Sequence, residues 1–339
     1  MKKSFIYRLG IICKTFTYLR LFNLIKIRCA YFFSLVLRRP IVWGFPPILM
    51  IEPTNYCNLQ CPMCPSGSGQ LTRPKGYLTF EDFKKIIDQV HRYTFMLLLW
   101  NQGEPFLHKD LCLMINYAHQ KKMFVIVSTN ANYLPCPQQI IHSQLDRLII
   151  SLDGITQETY NKYRVNGSLE KVLQNVKLLV QAKKEFLTSQ PFLVWQFIVM
   201  KHNEHEIPQL QKLVDQYEID ELSLKTVQIY TPDDLENFLP LNPKYQRYKV
   251  KNEQFELKYT LRNKCFRAWH QPVINWDGEM CICCFDKDNQ YKIGNCREKP
   301  IIELWKSKEY MCFRNMILHH RQKFNICKNC GESIHLTAP

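Results

Sequence analysis

The chain of 339 residues is 46% hydrophobic and 22% charged, which allows a sizeable core and excludes a disordered or collagen-like polymer. Its fifteen cysteines, an odd number gathered in short groups, argue against a secreted disulfide framework. Thiols grouped this way in a reducing compartment more often bind metal, so the cytoplasm is the expected location.

The formal net charge of +15 is unevenly placed. Residues 1–48 hold nine cations (Lys2, Lys3, Arg8, Lys14, Arg20, Lys26, Arg28, Arg38, Arg39) and no acid before Glu52. No uncharged apolar run there approaches the ~18 residues of a membrane span. Lys14, Arg20, Lys26 and Arg28 interrupt any signal-peptide core. On a single helix, seven of the nine cations share an arc of roughly 120°, with Arg8 and Lys26 outside it. Phe5, Ile11, Phe16, Leu19, Phe22, Leu24, Phe32 and Phe33 lie between them. Such a segment can lie in the plane of an anionic membrane, at its inner face, or pack on the protein with a solvated basic face. The aromatics also suit base stacking, but no nucleic-acid motif accompanies them and no nucleic-acid partner is expected.

From residue 48 strands and helices alternate. The predicted strands are Ile48–Pro53, Met96–Trp100, Phe124–Thr129, Arg147–Leu152, Leu193–Met200 and Glu221–Thr226. Helices are predicted at Phe80–His91, behind Thr79 as N-cap, at Leu169–Phe186 and at Glu204–Tyr217. The fold class is therefore α/β, a partial (β/α)6 TIM-like barrel with function at the carboxyl ends of its strands. The proline-bearing stretch Thr231–Lys264 reads as a linker. The expected domains are a basic helical extension (1–47), the barrel (48–262) and a small cysteine-rich domain (263–339).

Directly after the first strand stand Cys57, Cys61 and Cys64, spaced CxxxCxxC. Three thiolates can hold three irons of a [4Fe–4S] cube, whereas an electron-shuttling cluster normally takes four. No fourth cysteine is near, since Cys112 falls in a predicted helix, so one iron would stay open as in a catalytic site. The spacing resembles the signature of the radical S-adenosylmethionine (SAM) superfamily. Three further motifs follow at successive strand ends. Gly103, Glu104 and Pro105 resemble the family's GGEP segment, with Gln102 in place of the first glycine. Ser128 and Asn130 flank Thr129 at the third strand end. Ser151, Asp153 and Arg164 fit the family's SxDG…YxxxR pattern. The resemblance implies a SAM-binding [4Fe–4S] cluster on Cys57, Cys61 and Cys64. It also implies SAM contacts through Gly103, Glu104 and Pro105 (amino group), Ser128 and Asn130 (ribose and methionine), and Ser151 and Arg164 (carboxylate), with Asp153 beside them.

Cys265, Gly278, Cys283, Cys327 and Cys330 resemble a shortened SPASM domain, called twitch, which implies a second, auxiliary [4Fe–4S] cluster on the four cysteines. Cys281 and Cys284 are alternative ligands, Cys281 sharing the strand face of Cys283, and a tetrathiolate zinc site is the bland alternative. Asp277-Gly278 reads as a hairpin turn between Val273–Trp276 and Met280–Ile282. Asp286 is a candidate general base, or a solvated turn carboxylate. Lys225 is a candidate anion-binding group at the barrel mouth, or a surface lysine.

The resemblance implies reductive SAM cleavage and hydrogen abstraction, supported by a flavodoxin- or ferredoxin-like reductant. A fully cysteine-ligated auxiliary cluster suggests oxidation of an alcohol or sugar-like, even lipid-linked, substrate, as in the twitch-type dehydrogenase of aminocyclitol biosynthesis. The alternatives are a peptide- or protein-modifying radical enzyme and a non-catalytic iron–sulfur carrier.

Overall fold

The computed structural model describes residues 2–251 and 254–331; residues 332–339, assigned above to the C-terminal domain, lie outside them. Six parallel strands form in chain order: β1 (Ile48–Ile51), β2 (Met96–Leu99), β3 (Phe124–Thr129), β4 (Arg147–Ser151), β5 (Phe192–Val199) and β6 (Glu221–Thr226). Each lies within two residues of its expected bounds. Their side chains divide by strand alternation. Leu49, Ile51, Leu97, Leu99, Val125, Val127, Leu148 and Ile150 join the core beneath the helices. Met50, Leu98, Ile126 and Ile149 pack together on the opposite, inner face. Burial on both faces is why these strands are nearly continuous runs of apolar residues. The helix Phe80–Val90 shows how the outer layer is fixed: Thr79 accepts a hydrogen bond from the Asp82 amide, and Phe83, Ile86, Ile87 and Val90 form one buried stripe.

The stretch expected to be a linker is partly ordered. It contains the helix Pro232–Phe238, opened by a reciprocal Thr231–Asp234 capping box, and an antiparallel hairpin of β7 (Tyr248–Lys251) and β8 (Gln254–Leu257). Its composition hid both elements.

The C-terminal domain is not a separate layer. Its β9 (Val273–Ile274) pairs in parallel with β1, and β10 (Glu279–Cys281) and β11 (Lys292–Asn295) follow antiparallel, giving one nine-stranded sheet in the order β11-β10-β9-β1-β2-β3-β4-β5-β6. The turn at Asp277-Gly278 forms as expected, with Gly278 at φ +87°.

The N-terminal extension forms two helices, α1 (Lys2–Thr15) and α2 (Tyr18–Leu37), so the single-helix projection fails. Helix α1 closes the amino-terminal end of the barrel. Tyr7 stacks on Phe192 with ring centroids 4.0 Å apart and meets Phe124 edge-on. Lys14 pairs with the buried Asp146 at 2.6 Å. Arg20 of α2 is buried and donates to the carbonyls of Thr15, His91, Lys121 and Lys122. Two cations assigned to a solvated or lipid-facing arc are thus turned inward.

Candidate active site

The loop after β1 carries Cys57, Cys61 and Cys64, all free thiols, into an apolar pocket formed with Leu59, Met63, Tyr163 and Met200. The turn is tight: the Cys64 amide donates to the Cys61 carbonyl at 3.1 Å, and a Cβ on Gly67 would stand 2.6 Å from the Cys61 nitrogen. Burial pushes the Cys57 thiol up to about 12, with Cys64 and Cys61 adding to the rise. The Cys61 thiol is also raised by burial, against the pull of Arg164. Three mutually repelling sulfurs, Cys61 buried and Cys57 and Cys64 half-buried, suit a positively charged iron centre. Two donors aim at them. Asn130 Nδ2 stands 3.9 Å from Cys57 Sγ, and Arg164 Nη1 stands 3.8 Å from Cys61 Sγ. Cys112 takes no part; its electrostatic neighbour is Cys136.

The strand-end residues gather round this loop, but several are engaged differently from the expectation. Gly103 adopts φ +78°, and a Cβ there would lie 2.6 Å from the Thr54 and Tyr56 carbonyl oxygens, so only glycine fits. Pro105 opens a short 3-10 turn. Glu104, expected as an open acceptor for the SAM ammonium, is 2% exposed. It accepts from the Phe106 amide, the Thr129 hydroxyl and the Asn130 amide, tying the ends of β2 and β3 together. Arg164 does not offer a free fork for a carboxylate. Its Nε and Nη2 both reach Asp153 Oδ2 at 2.6 Å, leaving Nη1 towards Cys61. Ser128 and Ser151 lie on the inner face of the barrel beside Ile149 and Gln196.

Asp286, the candidate general base, is held inside its own loop. It is 1% exposed, and its two oxygens accept the Gln290 and Tyr291 amides, so it caps its own loop. Lys225 is exposed on edge strand β6 opposite Ile198, whose side chain packs on the thiol pocket.

Cys265, Cys283, Cys327 and Cys330 line one small cavity with Arg267 and Arg321 at its wall. Arg321 is buried; its Nη2 donates to Cys330 Sγ at 3.6 Å and its Nη1 to the Lys264 carbonyl at 2.7 Å. Cys281 does not share a face with Cys283, because the chain bends out of β10 after Cys281. Cys281 and Cys284 instead pack with the inner-face cluster. Among the described residues, no three His, Cys, Asp or Glu groups stand tightly enough for one metal ion; the thiols line cavities rather than a single ion's shell.

One feature of the site carried no sequence signal. Arg73 pairs through both nitrogens with the buried Glu52 (2.7 and 2.5 Å) and donates to the Lys287 carbonyl. Asp288 accepts the Thr72 amide and hydroxyl and the Arg73 amide. The C-terminal domain is thereby clamped over the segment that follows the cysteine loop.

A family model described as the radical SAM superfamily matches residues 51–214. The chain belongs to this superfamily. A second model, of an iron–sulfur cluster-binding domain of the SPASM type, matches residues 265–331. A radical SAM enzyme of this kind has a [4Fe–4S] cluster and SAM in its barrel and auxiliary iron–sulfur binding in the second domain. The chain is 25% identical over 314 residues to the tungsten-containing aldehyde ferredoxin oxidoreductase cofactor-modifying protein of Pyrococcus furiosus, covering 84% of this chain and 86% of that one. It is 26% identical over 304 residues to the Fe-coproporphyrin III synthase of Methanosarcina barkeri, covering 76% and 73%. Among solved structures, Streptococcus suis SuiB bound to S-adenosylmethionine aligns with a TM-score of 0.61 at 16% identity, over 85% of this chain and 73% of that one. BtrN in complex with AdoMet and 2-DOIA aligns at 0.55 and 16%, over 87% and 96%. At such identities these structures speak for the fold of this radical SAM enzyme alone.

Proposed function

We propose that the enzyme takes from an alcohol or sugar-like substrate a hydrogen atom to the SAM-derived radical, an electron to the auxiliary cluster and a proton to water, a two-electron oxidation. The observation that carries the reading is the small cavity lined by Cys265, Cys283, Cys327 and Cys330, four thiols that would ligate all four irons of a cluster and leave none open to substrate. When bound, the barrel cluster with SAM supplies a 5′-deoxyadenosyl radical, and the auxiliary cluster supplies an electron acceptor. Cys57, Cys61 and Cys64 hold the first cluster, and Cys265, Cys283, Cys327 and Cys330 the second. Asn130 and Arg164 direct N–H groups at the first set, and Arg321 at the second. Glu104 orients the ends of β2 and β3 for SAM through Thr129 and Asn130, with Gly103, Pro105, Ser128 and Ser151 lining its site. Asp153 positions Arg164. Lys225, exposed on edge strand β6, supplies a cation for an anionic group of substrate or SAM.

A flavodoxin- or ferredoxin-like protein is the proposed reductant, and the cytoplasm, with a peripheral membrane contact through the N-terminus, the proposed location. The experiment is to give the reconstituted enzyme deuterated alcohols and aminocyclitols and follow the label. Deuterium in 5′-deoxyadenosine together with a carbonyl product supports the reading. Deuterium transfer only from a precursor peptide moves the assignment to the peptide modification named for the PqqA peptide cyclase of Bradyrhizobium diazoefficiens.

A further inference from the structure

We infer that the outward face of α2 docks on an anionic lipid bilayer, and that docking turns the mouth of the barrel away from the lipid. The inference rests on the membrane contact proposed above and names its surface and its direction.

Helix α2 is amphipathic the wrong way round for a helix whose only partner is its own protein. Its buried positions are Arg20, Asn23, Ile27, Ala30 and Ser34. Three of these are polar and are held by hydrogen bonds: Arg20 to four backbone carbonyls, Asn23 in a two-way pair with the Phe45 backbone, and Ser34 to the Ala30 carbonyl. The exposed positions are the large apolar ones: Tyr18 is 84% exposed, Phe22 54%, Ile25 49%, Phe32 60% and Val36 60%. Trp43, 49% exposed, stands against Phe33 and extends the patch. An ordinary surface helix places these classes on opposite sides, and a contiguous apolar patch of this kind marks an interaction surface.

Charge selects the occupant. Lys26, Arg28, Arg38 and Arg39 are exposed around the apolar residues, and no acid occurs before Glu52. A groove of about 260 Å³ between Phe22, Trp43, Tyr93 and Ile302 has Lys26 and Lys306 in its wall, a setting for an anionic headgroup. Two copies packed face to face across a twofold axis would bring these cationic rims together. Anionic lipid matches both the apolar surface and its rim. No described helix is long and apolar enough to cross a membrane, and Arg20 and Asn23 anchor α2 to the protein, so the helix lies on the bilayer.

The direction follows from where the extension is held. Lys14 meets Asp146 just before β4, Arg20 meets the carbonyls of Lys121 and Lys122 before β3, and Asn23 meets Phe45 before β1. Cys57, Glu104, Asn130 and Asp153 all follow the other ends of the strands. The docking face and the mouth are on opposite sides. Substrate therefore enters from water, and a lipid-linked substrate would have to leave the bilayer to reach the thiol pocket.

The test uses the full-length reconstituted protein with phosphatidylcholine vesicles, with and without phosphatidylglycerol, read by co-sedimentation and by hydroxyl-radical footprinting. The expected result is salt-sensitive binding to the anionic vesicles, with Phe22, Phe32 and Trp43 protected and Tyr56 and Tyr230 at the mouth unprotected. The double variant Phe22→Glu, Phe32→Glu should lose at least about tenfold in bound fraction, while keeping its iron content and its rate of 5′-deoxyadenosine formation in solution. Binding with protection at Tyr56 and Tyr230 would overturn the orientation and leave the membrane contact standing. Failure to bind either vesicle would overturn both, as would a dimer in sedimentation velocity that the same substitutions dissolve.

Discussion

Glu104 sits among three hydrogen-bond donors, yet burial raises its carboxyl from 4.5 to about 7, against the pull of the Asn130 amide and the Thr129 hydroxyl. In that window the native state holds a proton that the unfolded state has released. Its contribution to stability is therefore lost as pH rises from about 4.5 to about 7, and the loss is complete above that. Chemical denaturation of the wild type and of Glu104→Gln should show their stability difference changing across this window in the sense of a wild type weakened at the higher pH. A flat difference would contradict the burial argument. The Glu52–Arg73 pair is a second case, with side chains 0% and 6% exposed. Arg73→Leu leaves a buried carboxylate without its partner and should cost about 3–5 kcal/mol in urea denaturation; a loss under about 1 kcal/mol would mean that water reaches Glu52. The cysteines and the strand-end motifs were legible because their chemistry is carried by residue type and short spacing. The partners of Glu104, Arg164 and Arg73 were not, since all but Phe106 come from 11 to 215 positions away and share no local pattern. Asp286 is hidden in another way: its partners, the Gln290 and Tyr291 amides, are close in sequence, but one carboxylate in a turn looks the same whether it faces solvent or caps its own loop.

At the scale of elements, the six barrel strands were legible because burial on both faces leaves uninterrupted apolar runs. The β7–β8 hairpin was not, because among its described side chains only Tyr248 is fully buried and Val250 is half exposed, so its alternation is weak. The Thr231 capping box was the overlooked sign of the helix Pro232–Phe238. The segment after the cysteine loop and the loop 286–291 act as one unit through Asp288. Asp288→Ala removes the acceptor of the Thr72 and Arg73 amides. Hydrogen exchange at those two amides should accelerate, while global stability falls by no more than about 1–3 kcal/mol. Unchanged exchange there would show that the clamp is held by Arg73 and Glu52 alone.

For the whole molecule, the sequence marked three segments; the structure joins two of them in one sheet, with the C-terminal strands added at the β1 edge, and the N-terminal helices pack on the barrel's amino-terminal end. That joining depends on pairings such as Met50 with Val273, more than two hundred residues apart, which no local pattern announces. It puts two thiol sets on one rigid frame, the first after β1 and the second beyond β10. The central claim is that this frame carries two iron–sulfur clusters, one of which works with SAM. Anaerobic reconstitution with iron and sulfide, followed by SAM and dithionite, tests it directly. The account predicts about eight irons per chain with formation of 5′-deoxyadenosine, and about four irons with the nucleoside still formed in Cys327→Ser. About four irons in the wild type, or no 5′-deoxyadenosine from the loaded protein with or without candidate substrates, would contradict it.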